Sequence, residues 1–170
     1  DVGAPMRDGR ALSLTVRDRW RGRPGYPYVR AAGCWLTRSG SLAAGLAVEV
    51  EDGDGLLAAA LGQLDDGADL VKLYMDGPDR DTSPFTAGEV RRVVEAVHAR
   101  GATVTAHSSL LGGARAAVAG GVDVPEVLGS RSTTPRARSP GTPTTRSAPS
   151  HSARSPPPSE PTPSARPGRT

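Results

Sequence analysis

Hydrophobic positions along the first two thirds of the chain switch between a helical and a strand-like period. Leu12, Val16 and Trp20 fall four apart, which predicts a helix over residues 6–20 with those three on one face. Arg23-Pro24-Gly25-Tyr26-Pro27 is a turn, and residues 28–32 read as a short strand ending at Gly33. Residues 40–55 hold four glycines and several acids and read as a long loop. Asp54 is placed to cap a helix from Leu56 to about Asp66, closed by Gly67. Residues 69–74 form a mostly apolar strand, broken by Asp76-Gly77-Pro78-Asp79. Thr86 with Glu89 three residues later is a capping box, and Val90, Val93, Val94 and Val97 continue at helical spacing until Gly101. Residues 102–107 predict a third strand, residues 113–119 an Ala-rich helix, and residues 121–124 the opening of a fourth strand.

A short repeat punctuates this pattern. Gly67-Ala68-Asp69, Gly101-Ala102-Thr103 and Gly121-Val122-Asp123 each lead from a helix end into a strand. Strands alternating with single helices imply right-handed βαβ units and a parallel sheet. Such a sheet closes as a doubly wound fold or as a (β/α)8 barrel. No Gly-x-Gly-x-x-Gly follows any strand, which disfavours the dinucleotide-binding option.

Composition then divides the chain. Residues 129–170 hold ten Pro, nine Ser, seven Thr and seven Arg, with no Val, Leu, Ile, Met, Phe, Trp, Tyr or Cys. Seven Arg against one Glu gives this segment +6; the whole chain is +3, so the body carries −3. The basic balance belongs to the tail, and a nucleic-acid-binding reading of the body is excluded. The tail composition cannot form a core and is expected to be disordered from about Pro125, giving domains at residues 1–124 and 125–170. No apolar run approaches the ~20 residues of a membrane span. One cysteine, Cys34, excludes a disulfide framework and reads as a small buried residue. No segment has the pattern of a signal peptide, so a cytoplasmic location is expected, and a chain opening on Asp1 reads as a fragment or a processed product.

Two polar residues stand out. Lys72 lies late in an apolar strand and is the only lysine among 21 Lys+Arg. A parallel strand is covered on both faces, so a lysine there either reaches solvent, pairs with an acid, or does chemistry that arginine cannot. A gene that otherwise writes arginine and kept one lysine points to the last. His107 ends the following strand, where barrel enzymes carry their chemistry and where imidazole can ligate a metal. Arg30 and Tyr74, in or just after strands, are weaker candidates for facing a substrate. His98, near a helix C-terminus, reads as structural, favoured there by the helix dipole.

The order of these stretches resembles the metal-dependent amidohydrolase superfamily, in its imidazolonepropionase-like and Xaa-Pro-dipeptidase-like branch. The resemblance rests on Asp1-Val2-Gly3-Ala4-Pro5, Val29-Arg30-Ala31-Ala32-Gly33, Gly67-Ala68-Asp69-Leu70-Val71-Lys72, His98-Ala99-Arg100-Gly101-Ala102, Val104-Thr105-Ala106-His107-Ser108 and Ala119-Gly120-Gly121-Val122-Asp123. It implies an α/β fold that is part of a (β/α)8 TIM barrel, hydrolysing amide, cyclic amide or dipeptide C–N bonds with one or two divalent metals, zinc foremost. Lys72, carboxylated by CO2, and His107 would be metal ligands, and the partner a small amide or dipeptide rather than nucleic acid or membrane.

The chain also departs from the pattern. The family's first-strand His-x-His pair and last-strand Asp have no counterpart, and its Glu-His-Gly segment after Gly-Val-Asp is replaced by Val124-Pro125-Glu126-Val127-Leu128-Gly129. The expectation is a partial barrel, inactive alone and prone to aggregate through its unpaired edges. Codons chosen for residues 130–135 and read from the third base give Ala-Leu-Asp-Asp-Ala, so a frameshifted C-terminus is one reading of the tail. A genuine basic, Pro-rich interaction segment on a non-enzymatic scaffold is the other.

Overall fold

The computed structural model describes residues 1–42 and 45–127. The expected disordered tail, apart from its first residues, lies outside them. The elements run β1 (Met6–Arg7), β2 (Arg10–Ala11), α1 (Leu12–Trp20), β3 (Ala32–Arg38), β4 (Ala47–Val50), α2 (Gly53–Asp65), β5 (Leu70–Tyr74), α3 (Ala87–Ala99), β6 (Thr103–Ser108), α4 (Leu111–Gly120) and β7 (Val124–Val127). Five strands form one sheet in the order β4-β3-β5-β6-β7, every pair parallel. This is the α/β architecture of a partial barrel. Among the described residues no helix is long and apolar enough to cross a membrane.

Several elements differ from the expected boundaries. The helix expected over residues 6–20 begins only at Leu12, because Asp8 (φ 52°) and Gly9 (φ 79°) turn the chain into a small β1–β2 hairpin first. The face α1 buries carries Ser13, Leu14 and Arg17, while Leu12 and Val16 are exposed. The strand expected at residues 28–32 is displaced to β3, so Gly33 and Cys34 lie inside it. The expected loop 40–55 contains β4 and the start of α2, whose N-cap is Asp52, accepting from Gly55 N at 2.8 Å, rather than Asp54. β7 runs through Val127, so the boundary drawn at 124/125 falls within a strand. The later elements hold close to their expected places. Thr86 and Glu89 make the reciprocal capping box.

The Gly-x-Asp repeat has a structural reason. Asp69, just before β5, donates its N–H to Ala31 O at 2.9 Å and accepts from Ala31 N at 2.9 Å; Asp123, just before β7, does the same with Val104 at 3.0 and 2.8 Å. Each carboxylate also holds a basic side chain from a helix: Arg17 of α1 donates to Asp69 at 2.5 Å, and His98 of α3 lies 3.0 Å from Asp123. The acid therefore clasps the start of the neighbouring strand and ties a helix to it. His98 is structural, as expected.

Side chains alternate across the strands. On one face Leu36, Val71, Leu73, Met75, Val104 and Ala106 are fully or almost fully buried against Leu56 and Ala60 of α2, Val90, Val93, Val94 and Val97 of α3, and Ala117 of α4. The close approach of α4 requires Gly113: a Cβ there would stand 1.9 Å from Met75 O. The other face carries Trp35, Lys72, Tyr74, Thr105, His107 and Glu126.

Candidate functional site

The site grows from the strand period. Register pairs Trp35 with Lys72 and Lys72 with Thr105; one step further along, Tyr74 pairs with His107 and His107 with Glu126. Residues two apart on a strand share a face, so all of these stand on the side away from the helices.

Among the described residues Lys72 is the largest fully buried side chain. Its Nζ donates to Glu126 Oε2, reaching from β5 across β6 to β7, and lies 6.0 Å from the centroid of the Trp35 ring. The Thr105 hydroxyl, on the strand between, donates to Val124 O at 2.9 Å and sits 3.3 Å from Glu126 Oε1. Burial pushes the Glu126 carboxyl up, but the hydrogen bond and charge of Lys72, the Thr105 hydroxyl and the charge of His107 outweigh it, and the carboxyl is held below its ordinary range.

Trp35, Tyr74 and His107 form an aromatic cluster. Tyr74 and His107 rings are 5.2 Å apart and nearly parallel at 4°; Trp35 stacks 5.9 Å from Tyr74 and 6.0 Å from His107. His107 Nε2 is 3.1 Å from Ser109 Oγ and 3.8 Å from Asp76 Oδ2. Asp76 Oδ1 accepts from Ser109 N at 2.7 Å and Leu110 N at 2.9 Å, holding the turn that leads from β6 into α4. Burial, the charge of Asp76 and a hydrogen bond to it raise the Tyr74 phenol above its usual value.

Of the residues singled out by sequence, Lys72, His107 and Tyr74 therefore come together on one face. Arg30 does not join them. It is exposed at the amino end of β5, where its guanidinium donates to Asp69 O at 2.9 Å. Sequence reasoning missed Glu126, Trp35, Thr105 and Asp76. Thr105 was detectable as the residue two before His107 on the same strand; Glu126 was not, because it lies beyond the residues read as the fourth strand. Trp35 was hidden by the misplaced β3.

A catalytic metal usually takes three protein donors. Among the described residues no group of three or more His, Cys, Asp or Glu is placed to hold one. The Lys72 amine is committed to Glu126, and His107 Nε2 is set against Ser109. As arranged, these residues do not fit a resident metal.

No protein-family model matches the chain. Proteins of uncharacterised function from Mycobacterium bovis and from two strains of Mycobacterium tuberculosis are 40% identical to it over 85 residues, 48% of this chain and 23% of theirs. The match thus spans about a quarter of the length of those relatives. Among solved structures, one described as a prolidase from Bifidobacterium longum superposes with a TM-score of 0.58 at 20% identity, covering 66% of this chain and 28% of that one. A Xaa-Pro dipeptidase with methionine bound in its active site gives 0.56 at 23% identity, over 74% and 34%. A structure described as an amidohydrolase gives 0.53 at 19%, over 72% and 35%. The fold is amidohydrolase-like, and it corresponds to about a third of such a chain.

Proposed function

We propose that this chain is a sector of a metal-dependent amidohydrolase barrel of the kind that hydrolyses amide, cyclic amide or dipeptide C–N bonds, and that on its own it does not hydrolyse them. The observation that carries the reading is the polar face of the sheet. Lys72, Tyr74 and His107 stand together on the side opposite the helices, and Lys72 is buried there instead of reaching solvent. A purely structural sheet would cover that face with apolar side chains.

In this reading Lys72 and His107 occupy the ligand positions of the parent barrel, and the Tyr74 ring forms wall beside them. The substrate class is a small amide or a dipeptide. Inactivity follows from the donor set, because a third ligand is lacking among the described residues and the Lys72 amine is engaged. The test is turnover of an Xaa-Pro and acyl-amino-acid dipeptide panel with and without added Zn(II) or Mn(II). The expected result is no metal-dependent hydrolysis by this chain. Hydrolysis that requires metal and disappears in His107→Ala would overturn the inactivity. A sector origin would be contradicted if Lys72 and His107 proved solvent-accessible and independent of each other.

A further inference from the structure

We propose that Glu126 is a staple for the sole lysine of the chain: by capping the Lys72 ammonium across β6 it fastens β7 to the sheet and at the same time keeps the amine from reacting. This goes beyond the reading of the barrel and stands on geometry alone, whatever the parent barrel hydrolyses.

Four observations converge. Lys72 is completely buried, so its charge must be met inside the protein, and the carboxylate that Nζ donates to is Glu126. An unpaired buried ammonium would be strongly destabilising. Glu126 comes from β7, which ends the sheet order and contains Pro125, a residue that cannot donate to a ladder. A short edge strand with a missing donor needs a side-chain tie. The tie is aligned by Thr105 on the strand between, through the Val124 carbonyl and the second oxygen of Glu126. The indole of Trp35 lies near the ammonium from β3, so the charge also gains a cation–π contact.

The lysine is thereby closed to chemistry in two ways. Its nitrogen is engaged in the bond to Glu126, and attack on an electrophile requires it to leave that bond. Its side chain is buried, so a reagent does not reach the amine from solvent. Release of Glu126 removes the bond that holds the amine, so this one carboxylate governs how readily it reacts.

Because Lys72 is the only lysine, one reagent reads it without ambiguity. The folded full chain is treated with 13C-formaldehyde and cyanoborohydride, and the dimethyl-lysine signal is followed by NMR against the α-amine of the same chain as internal control. In the unaltered protein the α-amine should label while Lys72 stays protected. In Glu126→Gln, Lys72 labelling should rise by about tenfold or more while the far-ultraviolet helix signal is retained. Amide exchange of β7 should quicken in the same variant. Labelling of Lys72 in the unaltered folded chain at the rate seen in denaturant would overturn the proposal, as would an unchanged rate in a folded Glu126→Gln. If Glu126→Gln loses its helix signal, Thr105→Val, which replaces only the aligning hydroxyl with a methyl, is labelled in its place. A faster Lys72 signal then supports the staple, and an unchanged one overturns it. The double variant Lys72→Met with Glu126→Leu removes both charges; β7 exchange less protected in Lys72→Met alone than in the double variant is expected, and equal exchange in the two would contradict the fastening role.

Discussion

At the scale of single residues, the acids that precede strands do much of the positioning. Asp69 joins Ala31 N, Arg17 and Arg21, and Arg17 is almost fully buried at 3% side-chain exposure. Burial pushes the Asp69 carboxyl up, but the Ala31 N–H and the two guanidiniums outweigh it and hold it below its ordinary range. A carboxyl whose pKa is depressed by folding contributes stability that is complete above its unfolded value, about 4, and is lost as pH falls through the folded value. Resistance of the native chain to chemical denaturation is therefore expected to fall below about pH 4. Asp69→Asn should lower stability at neutral pH by about 1–3 kcal/mol and flatten that acid dependence. A variant with the same acid slope as the native chain would show that Asp69 is not its source.

Lys72 shows what one residue's identity reveals and what it conceals. Its singularity among arginines marked it for attention, and its strand placed it on the right face. Its partner was not legible, because Glu126 lay where composition had already turned toward the tail. Pairing with an acid was among the readings open for Lys72, and it is the one the structure contains.

At the scale of elements, legibility follows the strength of local signals. α3 was read within a residue or so, because its capping box and valine stripe agree with each other. Thr86→Ala removes one half of that box and should cost about 1 kcal/mol in urea denaturation. A change near zero would mean Glu89 alone caps the helix through Thr86 N, to which its Oε2 lies 2.7 Å. α1 was misread because its regularly spaced Leu12, Val16 and Trp20 stand on the outer side, while its buried face uses the small Ser13, Leu14 and the aliphatic stem of Arg17. β4 was missed because four residues inside a glycine-rich segment give too little periodicity to see. β5 was placed correctly, and its apolar half is central to the core. Leu73→Ala, at 0% exposure between α2, α3 and the sheet, should destabilise the fold by about 2–5 kcal/mol. A cost under about 1 kcal/mol would mean that face of the sheet is not packed as described.

At the scale of the molecule, the parallel sheet and its helices were legible from alternation and repeat, and the site only in part. Sequence named Lys72, Tyr74 and His107. The period-2 rule applied across neighbouring strands, which brings Trp35, Thr105 and Glu126 to them, required a register that sequence does not supply. Among the described residues no group of three metal-ligating side chains comes together. Acids that could complete a donor set are engaged elsewhere, Asp76 on the backbone turn before α4 and Glu126 on Lys72. Zinc titration of the folded chain is accordingly expected to show no tight one-to-one site, and a stoichiometric site lost in His107→Ala would show that the face rearranges to bind metal.

The placement of Lys72 among Trp35, Thr105 and Glu126 is the point on which fold, function and staple all depend. A nuclear Overhauser spectrum of protein labelled with 13C,15N-lysine tests it directly, since it contains the side-chain signals of one residue. The account predicts cross-peaks from the Lys72 ε-methylene to the Trp35 indole and the Glu126 γ-methylene. Random-coil shifts with no cross-peak to either residue would contradict it.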